Sequence, residues 1–456
     1  MLKIMAITPE HLEEKELFKK TEELLKSGIH YLQYRDKKEG FLRKKALAEK
    51  LLELCKKYDT PLIINDDVTL AKELGCGVHL GQEDFSISEA RKLLGNVTIG
   101  ATAHNLAEAL KAKEEGADYL GCGALYPTTS KDGTTPLSLE ELETIIRGVG
   151  LPVYAIGGIR AKHLREILPT GVEGVALISS VFYEDELEVF KRPPVLSIAG
   201  SDPSGGAGIQ ADLKTFSAFN TYGMAAITSL TAQNTTGVTS IHTPPSSFLS
   251  EQLESIFTDI PPVAIKVGML GTKENLLVLE EVLEKYPTAF VVFDPVMVST
   301  SGSVLLEEGT ERLLYSLLRK AYLITPNIPE AEALTGITIK DKEDMVKASS
   351  ILYEMGIKNI LLKGGHLKDS KDDLLYLEGE AQWLEGTTIE TTHTHGTGCT
   401  LSSAITSLLA KGYSLTEAVT EAKLYVRDLL SFNYNLGEGH GPLYHPLERN
   451  AHETNE

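Results

Sequence analysis

The stretch EDELEVFKRPPVLSIAG, residues 184–200, decides how the chain is read. A charged segment runs into Pro193 and Pro194, which cannot continue a helix, and an apolar run starts at Val195. On both sides, short apolar runs alternate with amphipathic segments, so the seam separates two α/β units. We place a first domain at 1–186, a linker at 187–194, a second domain at 195–447 and a polar tail at 448–456. A chain of 456 residues with 42% apolar residues has room for two cores.

Upstream of the seam, KIMAIT, HYLQYR, PLIIND, GVHLG, TIGATA, DYLGCG, PVYAIG and GVALIS read as strands. Most are continuous and apolar, as buried parallel strands are. The segment FLRKKALAEKLLELCKKY between the second and third has helical spacing. Eight such units in roughly 185 residues predict a (β/α)8 TIM barrel; an open doubly wound sheet is the alternative. Downstream, VAIKVG, FVVFDPV, YLITPN and NILLKGG predict a mostly parallel sheet with helices on both faces.

The formal net charge of −20 argues against a nucleic-acid partner. No apolar run is long enough to span a bilayer. The N-terminus lacks a secretory pattern. The four cysteines form no CxxC pair, so neither zinc nor a disulfide framework is indicated and a cytoplasmic location is expected. Oligomeric state is left open, homo-oligomers included.

In a barrel, chemistry sits past the C-terminal ends of the strands, and QYRDK, NDD, GQED, ATAH, YPTTSK, IGG and ISS all lie there. Gln33, Arg35 and Lys37 alternate, so one strand end presents an amide, a guanidinium and an ammonium, a grip for a diphosphate. Asp66 and Asp84 close neighbouring units and can share a hard cation such as Mg²⁺; they also read as a turn residue and a helix N-cap. Hydroxyls at Thr128, Thr129 and Ser130, with Lys131, precede glycines Gly157 and Gly158 and the run Ile178, Ser179, Ser180. Loops after the last two strands are a recurrent phosphate site.

In the second domain, AGSDPSGGAGIQADLKTF opens with a glycine-rich turn that is not a Walker A loop. Asn327 and Glu330 stand at a strand-to-helix turn and can orient metal-bound water beside ATP phosphates. Lys363 closes the strand of LLKGGH. In HGTGCTLSSA, 395–404, the N–H groups of Gly396, Thr397, Gly398 and Cys399 can receive a transferring phosphoryl group at a helix N-terminus. A thiol there is expected to have a lowered pKa and to serve as a base.

Residues 1 to about 185 resemble thiamine-phosphate synthase, through QYRDK, NDD, GVHLGQED, GATAH, GCGALYPTTSKD, AIGGI and GVALISS in order. The resemblance implies coupling of 4-amino-5-hydroxymethyl-2-methylpyrimidine diphosphate to 4-methyl-5-(2-hydroxyethyl)thiazole phosphate, giving thiamine phosphate and diphosphate. It implies that Gln33, Arg35, Lys37, Asn65 and Lys131 hold the pyrimidine diphosphate, that Asp66 and Asp84 hold Mg²⁺, and that Thr128, Ser130, Gly158, Ile178 and Ser179 meet the thiazole phosphate. Thr102 stands where the family has serine, which keeps a hydroxyl in the pyrimidine site. Ala124 stands where proline is usual.

Residues from about 195 to 446 resemble the ribokinase-like superfamily, and within it hydroxymethylpyrimidine/phosphomethylpyrimidine kinase, through AGSDPSGGAGIQADLKTF, TSLTAQNTTGV, KVGML, DPVM, LITPNIPEA, LLKGGH, HGTGCTLSSA and GHGPLYHP. This branch carries cysteine where relatives carry an aspartate base. The resemblance implies ATP as co-substrate, Cys399 as catalytic base and a pyrimidine pocket at Gly200, Ala207, Asp212, Gln233, Met269 and Val296. Thr300 replaces a common lysine. The kinase's product is then the barrel's substrate, and the short linker raises its local concentration. A pyridoxal-type kinase fused to a barrel, or a non-catalytic sensor of thiamine precursors, are the competing readings.

Overall fold

The computed structural model describes residues 1–128, 136–296, 309–367, 370–387, 389, 391–432 and 434–446. The chain divides into two compact units that meet between Phe190 and Lys191.

In the first unit, β1 (Lys3–Ile7), β2 (Tyr31–Tyr34), β3 (Leu62–Asn65), β4 (Gly77–Leu80), β5 (Ile99–Ala103), β6 (Tyr119–Cys122), β7 (Val153–Ile156) and β8 (Gly174–Leu177) coincide with the eight predicted runs. All neighbours are parallel, and β8 returns to β1 with Lys3 opposite Gly174, so the sheet is a closed barrel and the open-sheet alternative falls. Aromatic rings plug the interior. Tyr119 and Tyr154 meet edge to face at 5.4 Å and Tyr154 meets Tyr31 at 6.1 Å. A Cβ at Gly100 would lie 2.1 Å from the Tyr119 ring, so this glycine makes room for a side chain from the next strand. Outside, the helix Phe41–Lys57 turns Leu47, Ala48, Leu51 and Cys55 onto the strands, the helical spacing the sequence shows.

The expected linker is partly structured: Leu187–Lys191 forms a short helix with Leu187 and Phe190 buried, and Pro194 already opens the next strand. Two apolar residues three apart supply a buried helical face, which the charge around them hid.

The second unit contains β9 (Pro194–Ser201), β10 (Tyr222–Asn234), β11 (Gly237–His242), β12 (Ala264–Val267), β13 (Phe290–Phe293), β14 (Leu323–Ile324), β15 (Asn359–Leu362), β16 (Asp373–Leu377) and β17 (Glu380–Leu384). They form one sheet in the order β11-β10-β9-β12-β13-β14-β15-β16-β17. The six from β10 to β15 are parallel, and antiparallel strands are added at both edges. From β9 the chain goes first to one side and then, at β12, to the other. That reversal opens a crevice at the strand C-termini, where open α/β sheets place ligands. The helix Thr397–Ala410 is buried on nearly every side from Thr400 onward, as its run of small and apolar residues requires. Among the described residues, no helix is long and apolar enough to cross a membrane.

Candidate active sites

At the barrel rim, Lys37 Nζ lies 3.1 Å from Asp66 Oδ2, and Arg35 Nη1 lies 2.6 Å from Glu10 Oε1. Neither Asp66 nor Asp84 caps a helix. Asp67 caps the helix Val68–Leu74 by accepting from Leu70 N–H, and the helix Ile87–Leu94 starts after Ser86. Asp66 is thereby released; its backbone is left-handed (φ 65°) and its carboxyl is in hydrogen-bonding contact with that of Asp84. Burial and the neighbouring Asp84 raise the Asp66 pKa, with Lys37 opposing. The Gly81 N–H fixes Asp84 by donating to Oδ2 at 2.7 Å. Two carboxyls pressed together are chemically able to contribute two oxygen ligands to a hard divalent metal ion. No group of three or more metal-ligating side chains occurs among the described residues, so water and substrate oxygens would complete the shell.

Gln33 lies inside the barrel, 3% exposed, with its Nε2 3.4 Å from Met5 Sδ. Beside it runs a polar chain: Tyr119 Oη to His79 Nδ1 at 3.0 Å and His79 Nε2 to Thr102 Oγ1 at 3.1 Å. The sequence does not single out His79 and Tyr119, because GVHLG and DYLGCG read as apolar strands. The available signal was one polar side chain within each short buried run. Asn65 ends β3, opposite His79 on β4.

The loop after β6 folds onto the glycines after β7. Tyr126 N–H donates to Gly157 O at 3.0 Å, and Tyr126 stacks on His163 at 3.6 Å. A Cβ at Gly158 would lie 2.4 Å from Pro127 O. Thr128 and Gly158 are thus brought together, with Ile178 and Ser179 at the start of the short helix that follows neighbouring β8. The Gly123–Ala124 peptide is cis. Thr129, Ser130 and Lys131 lie outside the described residues.

In the second unit, the glycine-rich turn wraps the carboxylate of Asp202, which accepts from the N–H groups of Ser204, Gly206 and Ala207. His395 Nε2 lies 2.8 Å from Asp202 Oδ2 and 3.4 Å from Gln233 Nε2. A Cβ at Gly200 would lie 3.1 Å from Met269 Sδ. Gly200, Met269, Gln233 and Ala207 therefore gather around the C-terminal end of β9. Val296 follows β13, its N–H donating to Asp294 O at 2.8 Å.

Asp212 has no solvent access in this structure, and its side chain is held by protein partners. Its carboxylate accepts from Lys266 Nζ at 2.8 Å, Ser197 Oγ at 2.5 Å and Ser403 Oγ at 2.7 Å. A side chain one turn into the helix Gly208–Ala218 faces protein here, which a motif cannot reveal.

Asn327 and Glu330 form a reciprocal cap on the helix Ile328–Thr335, so both have a structural task. Burial pushes the Glu330 carboxyl up to about 7, with Lys363 opposing. Lys363 Nζ pairs with Asp294 Oδ1 at 3.1 Å. Burial works against its charge, yet Asp294 and Glu330 hold its pKa above the ordinary value. Gly396 caps the helix Thr397–Ala410 at φ 83°, and a Cβ there would lie 1.8 Å from Gly206 O. Only glycine fits both the dihedral and the approach. Gly398 faces the Asp294–Lys363 pair.

Cys399 also differs from expectation. Burial pushes its thiol up to about 11; Lys266 opposes this, Asp212 and Asp294 reinforce it, and a hydrogen bond from Gly208 N–H opposes it. Helix-terminal dipoles do not overcome desolvation here.

A barrel with an acidic and basic rim, joined to an α/β unit whose crevice holds lysines and a glycine-flanked helix terminus, defines a pair of phosphate-handling transferases on one polypeptide. The family described as Thiamine monophosphate synthase matches residues 4–181, and that described as Phosphomethylpyrimidine kinase matches residues 202–444. The thiamine biosynthesis bifunctional protein ThiED of Geobacter sulfurreducens is 40% identical over 449 residues, 94% of this chain and 92% of that protein. The hydroxymethylpyrimidine/phosphomethylpyrimidine kinase of Staphylococcus aureus is 44% identical over 262 residues, 56% of this chain and 95% of that protein. Among solved structures, the ADP complex of Bacillus subtilis pyridoxal kinase is 36% identical, with a TM-score of 0.52, covering 55% of this chain and 97% of that one. The chain belongs to the family of bifunctional thiamine-biosynthesis enzymes that join a thiamine-phosphate synthase to a hydroxymethylpyrimidine/phosphomethylpyrimidine kinase.

Proposed function

We propose that the kinase unit phosphorylates 4-amino-5-hydroxymethyl-2-methylpyrimidine and then its monophosphate from ATP, and that the barrel couples the resulting diphosphate to 4-methyl-5-(2-hydroxyethyl)thiazole phosphate. The observation that carries the reading is the paired carboxyls of Asp66 and Asp84 beside Lys37 at the rim above buried Gln33. That set suits a diphosphate leaving from an uncharged ring.

In the barrel, Asp66 and Asp84 would hold Mg²⁺, which supplies charge neutralisation to the departing diphosphate. Gln33, Asn65 and Thr102 orient the aminopyrimidine; Arg35, Lys37 and Lys131 stabilise charge as the diphosphate departs. The thiazole nitrogen attacks the ring-stabilised carbocation, so little acid–base work falls to the protein. Thr128, Ser130, Gly158, Ile178 and Ser179 hold the thiazole phosphate.

In the kinase, Gly200, Ala207, Gln233, Met269 and Val296 bind the pyrimidine, and Gln233 offers an amide to its amino edge. Cys399 takes the alcohol proton, while the N–H groups of Gly396, Thr397, Gly398 and Cys399, with Lys363, receive the transferring phosphoryl group. Asn327 and Glu330 shape the nucleotide side of the crevice. A thiol at about 11 is mostly protonated at neutral pH, so phosphorylation should quicken with rising pH through the neutral range.

One assay tests the scheme: purified chain with ATP, Mg²⁺, the pyrimidine alcohol and the thiazole phosphate, followed for thiamine phosphate, with pyridoxal as competitor. Thiamine phosphate forms, and Lys131→Ala lowers turnover in the second step. No thiamine phosphate, or preference for pyridoxal, overturns the reading.

A further inference from the structure

Lys266 has no solvent access and no part in the chemistry above. It stands on β12 opposite Ser197 on β9, and its Nζ is 2.8 Å from Asp212 Oδ2 with neither side chain accessible. Ser197 and Ser403 complete the carboxylate's shell. Ser403 is one helical turn beyond Cys399. Gly208, whose N–H donates to the Cys399 sulfur, is one turn before Asp212. The helices Gly208–Ala218 and Thr397–Ala410 therefore meet in register, Gly208 against Cys399 and Asp212 against Ser403, with steps of about 5–6 Å between them.

A buried amine ordinarily gives up its proton. Asp212 prevents that here, so Lys266 stays a cation and its pKa lies above the ordinary value. The other charges facing the sulfur are Asp212 itself and the second ion pair, Asp294 with Lys363. That pair lies against the neighbouring residue: a Cβ at Gly398 would be 3.3 Å from Asp294 Oδ2 and 3.4 Å from Lys363 Nζ. Both pairs are neutral as units, so the effect on the sulfur is set by which end dominates. At Cys399 the Lys266 ammonium outweighs the Asp212 carboxylate.

We propose that Lys266 is a positioning residue of the kinase, its buried ammonium providing the counter-charge for a Cys399 thiolate while Asp212 keeps that ammonium charged and in place. The inference rests on Cys399 as the base. In the step it serves, the alcohol proton passes to the thiolate sulfur as the alcohol oxygen bonds to the γ-phosphorus. The bond from that phosphorus to the bridging oxygen breaks, and ADP leaves with the electron pair.

The test is the pH dependence of Cys399 alkylation by iodoacetamide in the full chain, read on its peptide by mass; the other three cysteines are buried. Alkylation reports thiolate without requiring turnover. Lys266→Met slows it about tenfold at pH 8 and moves the titration up by about one pH unit. The kinase pH–kcat profile moves the same way with KM unchanged. Asp212→Asn, which removes what keeps the buried amine protonated, also slows alkylation. If Lys266→Met does not fold, the double variant Lys266→Met/Asp212→Asn carries the comparison with the parent, since it leaves no buried charge alone; it reacts more slowly than the parent, because the larger influence on the sulfur is the lysine's. Parental rates in Lys266→Met, or in the double variant, overturn the proposal. Cys399→Ala tests the base separately: retained phosphorylation would remove that role whatever the alkylation shows.

Discussion

At the barrel rim Lys37 meets Asp66 at 3.1 Å with half of the lysine side chain in solvent, whereas in the kinase unit Lys266 meets Asp212 at 2.8 Å with neither side chain accessible. The residue types and distances are nearly the same, and the energetics are not. An exposed pair contributes about 0–1 kcal/mol and is easily exchanged for another partner. Removing one member of a buried pair costs about 3–5 kcal/mol, because the survivor is left charged in a low dielectric. The rim keeps its charges exchangeable, as suits the proposed uptake and release of a metal ion and a diphosphate there. The kinase crevice keeps its charges committed before any ligand arrives, as suits transfer of a phosphoryl group between fixed dipoles.

The sharpest way to break this contrast is Cys399→Ala. Phosphorylation of the pyrimidine alcohol falls by about 10²–10⁴-fold, the range of a lost general base. Thiamine phosphate formation from supplied pyrimidine diphosphate is unchanged. A parallel fall in both rates would show that the two sites are not independent. Next, Asp84→Asn lowers synthase turnover about 10²-fold without moving the melting temperature of either unit, since an exposed rim site holds little folding energy; a large loss of stability would place Asp84 with the committed charges.

The third experiment compares stabilities by denaturant. Lys266→Met lowers unfolding free energy by about 3–5 kcal/mol, and Lys37→Met by less than about 1 kcal/mol. Similar losses would erase the distinction between the sites.

The smallest effect is at Glu330, whose carboxyl burial lifts from an ordinary 4.5 to about 7. The native state holds this proton where the unfolded chain releases it. Glu330 therefore costs nothing below about pH 4, destabilises increasingly from there to about pH 7, and exerts its full penalty above. Glu330→Gln, which can still accept from Asn327 N–H, should match the parent near pH 4 and exceed it by at most about 3 kcal/mol at pH 8. Melting curves at the two pH values check the sign; a variant less stable at pH 8 would mean that the ionised carboxylate is stabilising.

Much of the architecture was legible because buried parallel strands are written as continuous apolar runs. The eight runs before the seam are the eight barrel strands, and the placement of polar motifs after them follows from the fold. Three details were not legible. The carboxylates of NDD look equivalent in one dimension, yet Asp67 takes the cap and leaves Asp66 to face Asp84. His79 and Tyr119 sit in strands whose polar tips meet only once the barrel closes. The helix terminus at Cys399 promised a lowered thiol pKa, and the density of protein around the sulfur reverses it.

Local pattern alone determined where the barrel strands and the main helices fall, since each depends on neighbours a few residues apart: periodicity, prolines and glycines. Family-specific runs such as QYRDK and HGTGC likewise carried the family resemblance in order along the chain. Only the tertiary structure decided how charged the site groups are. Asp212 and Lys266 are separated by 54 positions but share one hydrogen bond, and the dielectric around a pair is a property of everything packed against it.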